Sequence, residues 1–158
     1  MTSPELADWH TRDDDGFRRS EASAFIGNGG AAWERAARGV LLWRVKTASG
    51  FTVDTAAPAA TGDRVTVTTR VFGVTIVEPV EVVSVVDTPV MVGFSYRTLP
   101  GHPVDGEEAF IVHRIGDDVY LTVRSLTRAA QEQPWRALYP LLRVAQLVAR
   151  RRYLRALR

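Results

Sequence analysis

The densest grouping of chemically able residues is Tyr96, Thr98, His102, Glu107 and Glu108. An imidazole a few positions before two carboxylates suits general acid–base chemistry when a substrate lies within reach, and equally suits polar contacts to a bound ligand. Pro100, Gly101, Pro103 and Gly106 punctuate the stretch, so a short loop stiffened by prolines and freed by glycines must present His102 between two strands. In a strand, Glu107 and Glu108 point to opposite faces. The one that is buried needs a partner, and Arg97, Arg124 and His102 are the candidates. The same residues also permit a purely structural use, in which Glu–His–Arg contacts tie the loop to the sheet.

Other patterns carry less. Gly93-Phe94-Ser95-Tyr96-Arg97 approaches a Gly-x-Ser-x-Gly nucleophile elbow but lacks its last glycine and lies within a strand pattern. Gly27-Asn28-Gly29-Gly30 precedes a helix, yet no Gly-Lys-Ser/Thr follows, so it reads as a helix-entry loop and not a nucleotide site. His10, His102 and His113 show no metal-ligand spacing, and no metal or other cofactor is expected. Trp33, Trp43, Phe94, Tyr96, Phe110 and Tyr120 suit either a pocket lining or an ordinary core.

The elements that must position these residues follow from periodicity. Residues 1–16 are polar, acidic and without period, and read as a flexible arm able to dock through Trp9; residues 17–158 read as a single α+β domain. Phe17 to Ile26 is expected as a first strand. A helix is expected from Ala31, with Trp33, Ala36, Ala37, Val40, Leu41 and Trp43 at helical spacing and Gly50 ending the segment. Strands are expected over Arg64–Phe72, Val74–Val86, Val90–Tyr96, Glu107–Ile115 and Val119–Thr127, with turns at Gly73, Asp87-Thr88-Pro89 and Gly116-Asp117-Asp118. No connection between them is long enough for a parallel crossover, which implies an antiparallel meander of about five strands. A long helix starts near Pro134, with a kink or restart at Pro140. Its apolar face, Leu138, Leu141, Leu142, Ala145, Val148 and Ala149, is expected to pack across the sheet. Arg136, Arg143, Arg150, Arg151 and Arg158 would then face solvent, and Arg152 would snorkel from the apolar side.

Composition sets outer limits. With 46% hydrophobic and 24% charged residues, the chain has the make-up of a folded protein, not a disordered one. The lack of cysteine excludes disulfides and thiolate metal sites. No apolar run is long enough to span a membrane, and Asp13, Asp14 and Asp15 stand where a secretory signal would need an apolar stretch, so a cytoplasmic location is expected. The net charge of +2 hides an asymmetry, because seven arginines and no acid follow Glu132. Nineteen arginines accompany one lysine, which reads as a genomic composition bias.

Two resemblances follow. The order of elements, a curved antiparallel sheet closed by a C-terminal helix, resembles the helix-grip architecture of the START and Bet v 1-like superfamily, which implies a ligand cavity between sheet and helix. The longer second N-terminal helix of many members has no counterpart, which argues against a large cavity. The stretch Phe94 to Phe110 resembles the hallmark of uncharacterised protein family 0548: Tyr-Gly-Thr-Leu, then Gly-His-Pro, then Gly-Glu-Glu and phenylalanine. Tyr96, Thr98, Leu99, Gly101, His102, Pro103, Gly106, Glu107, Glu108 and Phe110 fit it, with Arg97 in place of the glycine. Gly27, Trp33, Ala36 and Trp43 resemble the family's N-terminal helix, Arg128 a later segment, and Pro140, Gln146, Arg152 and Tyr153 its C-terminal helix. The resemblance covers nearly the whole chain and implies no activity, since the family is itself uncharacterised.

The functional expectation is a small-molecule binding module for an apolar or amphipathic ligand. Its pocket would lie between sheet and C-terminal helix, with Tyr96, Thr98, His102 and one of Glu107 and Glu108 as polar lining, and Phe94, Phe110, Trp33 and Trp43 as walls. The alternatives are an enzyme using His102 with Glu107 or Glu108, and an interaction protein whose arginine face meets nucleic acid or an anionic surface.

Overall fold

The computed structural model describes residues 1–10 and 16–158. Seven strands form one antiparallel sheet: β1 (Arg18–Asn28), β2 (Thr52–Val53), β3 (Arg64–Val71), β4 (Val74–Asp87), β5 (Met91–Thr98), β6 (Val104–Ile115) and β7 (Asp118–Ala129). Their spatial order is β1-β7-β6-β5-β4-β3-β2, a meander from β2 to β7 with β1 returning to the free edge of β7. The expected five-strand antiparallel meander is present as β3 to β7, the expected first strand is β1, and one strand was not anticipated. That strand, β2, is two residues long and too short to show a period. Bulges between Phe25 and Gly27 and between Val82 and Ser84 interrupt the ladders and add to the twist that lets the sheet wrap.

One face of the sheet carries the core. Val65, Val67, Val80, Val82, Val92, Phe94, Tyr96, Phe110, Val112, Val119, Leu121 and Val123 all point inward from alternate positions. Helix α1 (Gly30–Leu41) lays Ala32, Ala36 and Val40 on them. The expected single helix through Trp43 is in fact two. Trp43 takes a left-handed conformation (φ 60°) and a one-turn α2 (Arg44–Thr47) follows. This break turns the Trp43 indole into the core, where it is 1% exposed and meets Phe94 at 4.6 Å between ring centroids. Gly93 is where β5 and β6 approach too closely for a side chain: a Cβ there would lie 2.3 Å from the Phe110 carbonyl oxygen.

Helix α3 (Trp135–Tyr153) runs through Pro140 without a break. Its rotation differs from the expected one. Leu138, Leu141, Ala145 and Val148 are exposed, only Leu142 and Ala149 of the expected face are half-buried, and Trp135, Tyr139, Gln146, Arg150 and Tyr153 share the sheet-facing side. The reason lies in the sheet beneath. Ser20, Ser125, Glu108 and Tyr96 form one inward transverse row across four strands, and such a row accepts polar partners. Arg150 donates to the Ser20 and Ser125 hydroxyls, so it is half-buried instead of free in solvent. Arg136, Arg143, Arg151 and Arg158 are exposed as expected, and exposed Arg152 reaches the Ser49 carbonyl at 3.5 Å.

The outer face of the sheet carries residues 1–10, the start of the segment read as a flexible arm. Thr2 and Trp9 are buried there. Arg124 donates to the carbonyls of Thr2, Ser3 and Ala7 and is paired with Glu21 at 2.6 Å. The guanidinium and the Trp9 ring lie 5.6 Å apart.

Candidate functional site

The pairing of β5 with β6 sets Phe94 opposite Phe110 and Tyr96 opposite Glu108, all four inward. Glu108 accepts a hydrogen bond from the Tyr96 hydroxyl. Above this pair, the break at Trp43 aims the single lysine of the chain, Lys46 on α2, into the aromatic layer. Its ammonium lies 3.2 Å from Glu108 and 4.0 Å from Glu78 of β4, and donates to the Tyr153 hydroxyl of α3 at 2.8 Å. The rings of Phe51, Tyr153, Tyr96 and Phe110 surround it at 4.7 to 5.7 Å. His102 Nε2 approaches the same Glu78 oxygen at 4.0 Å, while its Nδ1 accepts the Val104 amide at 3.1 Å. The Lys46 and His102 side chains are nearly sealed, at 4% and 7% exposure. Glu78 and Glu108 keep 17% and 20%, so solvent meets the cluster at its carboxylates.

The electrostatics follow from that arrangement. Burial opposes the Lys46 charge, but Glu108, the two tyrosines and Glu78 outweigh it and hold the amine well above its ordinary range. Burial, with Glu108 beside it, pushes the Tyr96 hydroxyl up; burial likewise raises Tyr153, and both stay protonated. Burial also raises Glu78, against the pull of Lys46. His102 is lowered to about 3, first by burial and then by the Lys46 charge. Accepting the Val104 N–H also requires an unprotonated Nδ1. The cluster is thus a fixed ammonium, a neutral imidazole, two phenols and two carboxylates. It can hold and orient polar groups. The lysine, kept protonated, has no free lone pair for nucleophilic attack.

Six of the nine residues expected at the site converge here: Phe94, Tyr96, Phe110, Glu108, His102 and Trp43. Three do not. Glu107 points to the outer face, where it accepts the amide and hydroxyl of Thr2, because consecutive strand residues alternate. Thr98 lies at the end of β5 and accepts the Gly106 amide at 3.0 Å, which ties the loop down. Trp33 sits at the opposite end of the molecule, stacked with Arg114, in a wide open hollow of about 540 Å³ between α1 and the Asp87–Pro89 turn. The expected pairing of His102 with Glu107 or Glu108 does not form; its carboxylate neighbour is Glu78. The buried glutamate found its cation in Lys46 instead of Arg97, Arg124 or His102. Sequence reasoning missed Lys46, Glu78 and Tyr153. A usable signal existed for Lys46, because a lone lysine among nineteen arginines marks a position where a compact ammonium does what a guanidinium cannot.

A family model described as a domain of unknown function, DUF1990, matches residues 4–156. The chain belongs to this family. Its curated relatives carry the family name expected from the Tyr96–Phe110 motif. A UPF0548 protein of Deinococcus radiodurans is 42% identical over 77 residues, 48% of this chain and 38% of that protein. A UPF0548 protein of Arabidopsis thaliana is 26% identical over 125 residues, 75% of this chain and 61% of that protein. The chain therefore spans less than two thirds of the length of these relatives. Among solved structures, the hypothetical protein jhp0584 of Helicobacter pylori matches with a TM-score of 0.68 at 12% identity, over 99% of this chain and 96% of that one. A START superfamily protein of Mycobacterium smegmatis matches with a TM-score of 0.53 at 11% identity, over 87% and 94%. This DUF1990 member thus has a helix-grip-like fold. No helix among the described residues is long and apolar enough to cross a membrane.

Proposed function

We propose that this chain is a binding module for a small apolar or amphipathic molecule, taken up between α3 and the inner face of the sheet. The observation that carries the reading is the seat of α3. This nineteen-residue helix fully buries a single side chain, Tyr153, and leaves Leu141, Val144 and Leu147 more than half exposed. It covers the sheet without filling it, and few contacts must break for it to lift. Against its last turn lie the Phe110 ring and the Lys46 ammonium, backed by Phe94 and Trp43, with further polar groups at Tyr96, Glu108 and His102, a mixture typical of small-ligand sites. The Trp43 indole N–H adds support: it is buried and has no partner among the described residues, a donor left for an acceptor on a ligand.

The acid–base alternative is weaker, because His102 is lowered to about 3 and Lys46 is held protonated, so it would rest on Glu78, whose carboxyl burial raises, and not on the His102 pairing the motif suggested. The test is a thermal-shift screen of apolar and amphipathic compounds, followed by NMR of hits. Binding should raise the melting temperature with ligand concentration and shift the amides of Tyr96, Glu108 and Phe110. Failure of a broad screen to yield such a compound would remove the reading.

A further inference from the structure

At the β1–β7 edge, α3 meets the sheet over a narrow crevice of about 40 Å³. One water needs roughly 10–15 Å³ measured in the same way, so the crevice has room for a group of several oxygens and little more. Its floor is two consecutive inward pairs of the β1–β7 ladder, Arg18 with Thr127 and Ser20 with Ser125. Its wall is one face of α3, where Arg143 and Arg150 stand seven residues, about two turns, apart. No acidic side chain lines it among the described residues. Glu108, one strand over from Ser125, is already engaged by Lys46 and Tyr96.

The donors in this crevice outnumber its acceptors. Arg150 is half-buried and gives N–H bonds to the Ser20 and Ser125 hydroxyls, so its recorded acceptors are two neutral oxygens and no carboxylate. Each serine oxygen that accepts from a guanidinium keeps its own hydrogen free to donate. Three arginines and three hydroxyl residues therefore line one small volume, Arg150 bonded within it and Arg18 and Arg143 reaching solvent at its mouth. Arginine forks matched by hydroxyl donors are the arrangement that recognises tetrahedral oxyanions through several parallel hydrogen bonds.

We infer that the crevice formed by Arg18, Ser20, Ser125, Thr127, Arg143 and Arg150 is a binding site for a phosphate group, separate from the Lys46 cluster. The phosphate is either the free anion or the terminal group of an amphipathic phosphomonoester, whose chain would leave past Leu147 at the crevice mouth.

The test follows inorganic phosphate and, separately, dodecyl phosphate by NMR on the full chain at fixed ionic strength. Saturable shifts are expected at Ser20, Ser125 and Thr127. Affinity should fall at least tenfold in Arg143→Gln and Arg150→Gln, and stay within twofold in Arg136→Gln, an exposed arginine of the same helix outside the crevice. Arg143 is also exposed, so its variant decides the matter should Arg150→Gln fail to fold. Dodecyl phosphate binding tenfold tighter at the same amides assigns the amphipathic source; equal affinities assign the free anion. Absence of saturable shifts with both probes overturns the site. Equal losses in Arg136→Gln and Arg143→Gln also overturn it, because they mean diffuse attraction to an arginine-rich helix.

Discussion

His102 makes the buried cluster measurable. Its ring is neutral in the folded protein, lowered from 6.5 to about 3 by burial and by the neighbouring Lys46 charge. In the unfolded chain it titrates near its ordinary value. Between those two values the unfolded state binds a proton that the folded state refuses, so stability is full above 6.5 and is lost as pH falls. Each unit below 6.5 costs about 1.4 kcal/mol, which makes the full window worth roughly 5 kcal/mol and the step down to about pH 4.5 worth roughly 3 kcal/mol. The second figure depends only on the folded value lying below about 4. Glu78 runs the other way, because a carboxylate raised by burial gains stability as pH falls. The His102 contribution is therefore read as a difference between two proteins. His102→Asn keeps an acceptor for the Val104 N–H and removes the titration. Urea unfolding near pH 7.5 and again near pH 4.5 should show wild type losing about 3 kcal/mol more than this variant. Equal losses, or an imidazole signal in the folded protein titrating near 6.5, would refute a buried neutral ring.

Lys46→Met keeps the stem but leaves Glu108 and Glu78 without their cation, and should cost about 3–5 kcal/mol near neutral pH in denaturant unfolding. Adding Glu108→Gln should recover part of that loss if the two groups are coupled. Gly93→Ala drives a methyl into the Phe110 carbonyl and should cost about 3 kcal/mol or prevent folding, whereas Gly116→Ala, with open space around it and a positive φ, should cost only about 1 kcal/mol. On α3, Leu141→Ala should change stability by less than about 0.5 kcal/mol and half-buried Leu142→Ala by about 1–2 kcal/mol; the reverse ranking would mean the helix sits in the rotation its apolar pattern suggests. Hydrogen exchange should be faster over residues 138–146 than over 149–153, since Tyr153 ties the last turn to Lys46; uniform protection would contradict a lightly seated helix.

The sheet was legible where its strands alternate cleanly. Val65, Val67 and Val71 of Arg64–Val71 mark one inward face, the longer Val74–Asp87 is apolar on both faces and takes its side from its partners, and each reversal carries its own turn residues. The motif residues that meet at the site were legible for the same reason: Tyr96, Glu108 and Phe110 share a face by parity once the strands pair. Parity also separates Glu108 from Glu107, but it does not say which face is covered; that depended on where α1 and α2 lie. The break at Trp43 was not legible, because a left-handed tryptophan has no local signature and the apolar spacing continues through it. Lys46 went with it, since its direction depends on that break.

The rotation of α3 shows how a buried charge reaches into the architecture. Apolar residues Leu138, Leu141, Val144, Ala145, Leu147 and Val148 cover so much of this helix that periodicity alone allows several seats. The seat is chosen by polar groups of α2 and the sheet: Lys46 donates to the Tyr153 hydroxyl, and Ser20 and Ser125 accept from Arg150. A seat chosen by three polar contacts near one end leaves the other end held by half-buried Trp135, Tyr139 and Leu142. The ammonium in the aromatic layer would be costly in a sealed core and is tolerated because Glu108 and Glu78 keep contact with water. The same contact with water places the two carboxylates at the rim of the packed aromatic layer and the ammonium within it. A helix fastened mainly at its last turns is the feature on which the proposed uptake between α3 and the sheet rests.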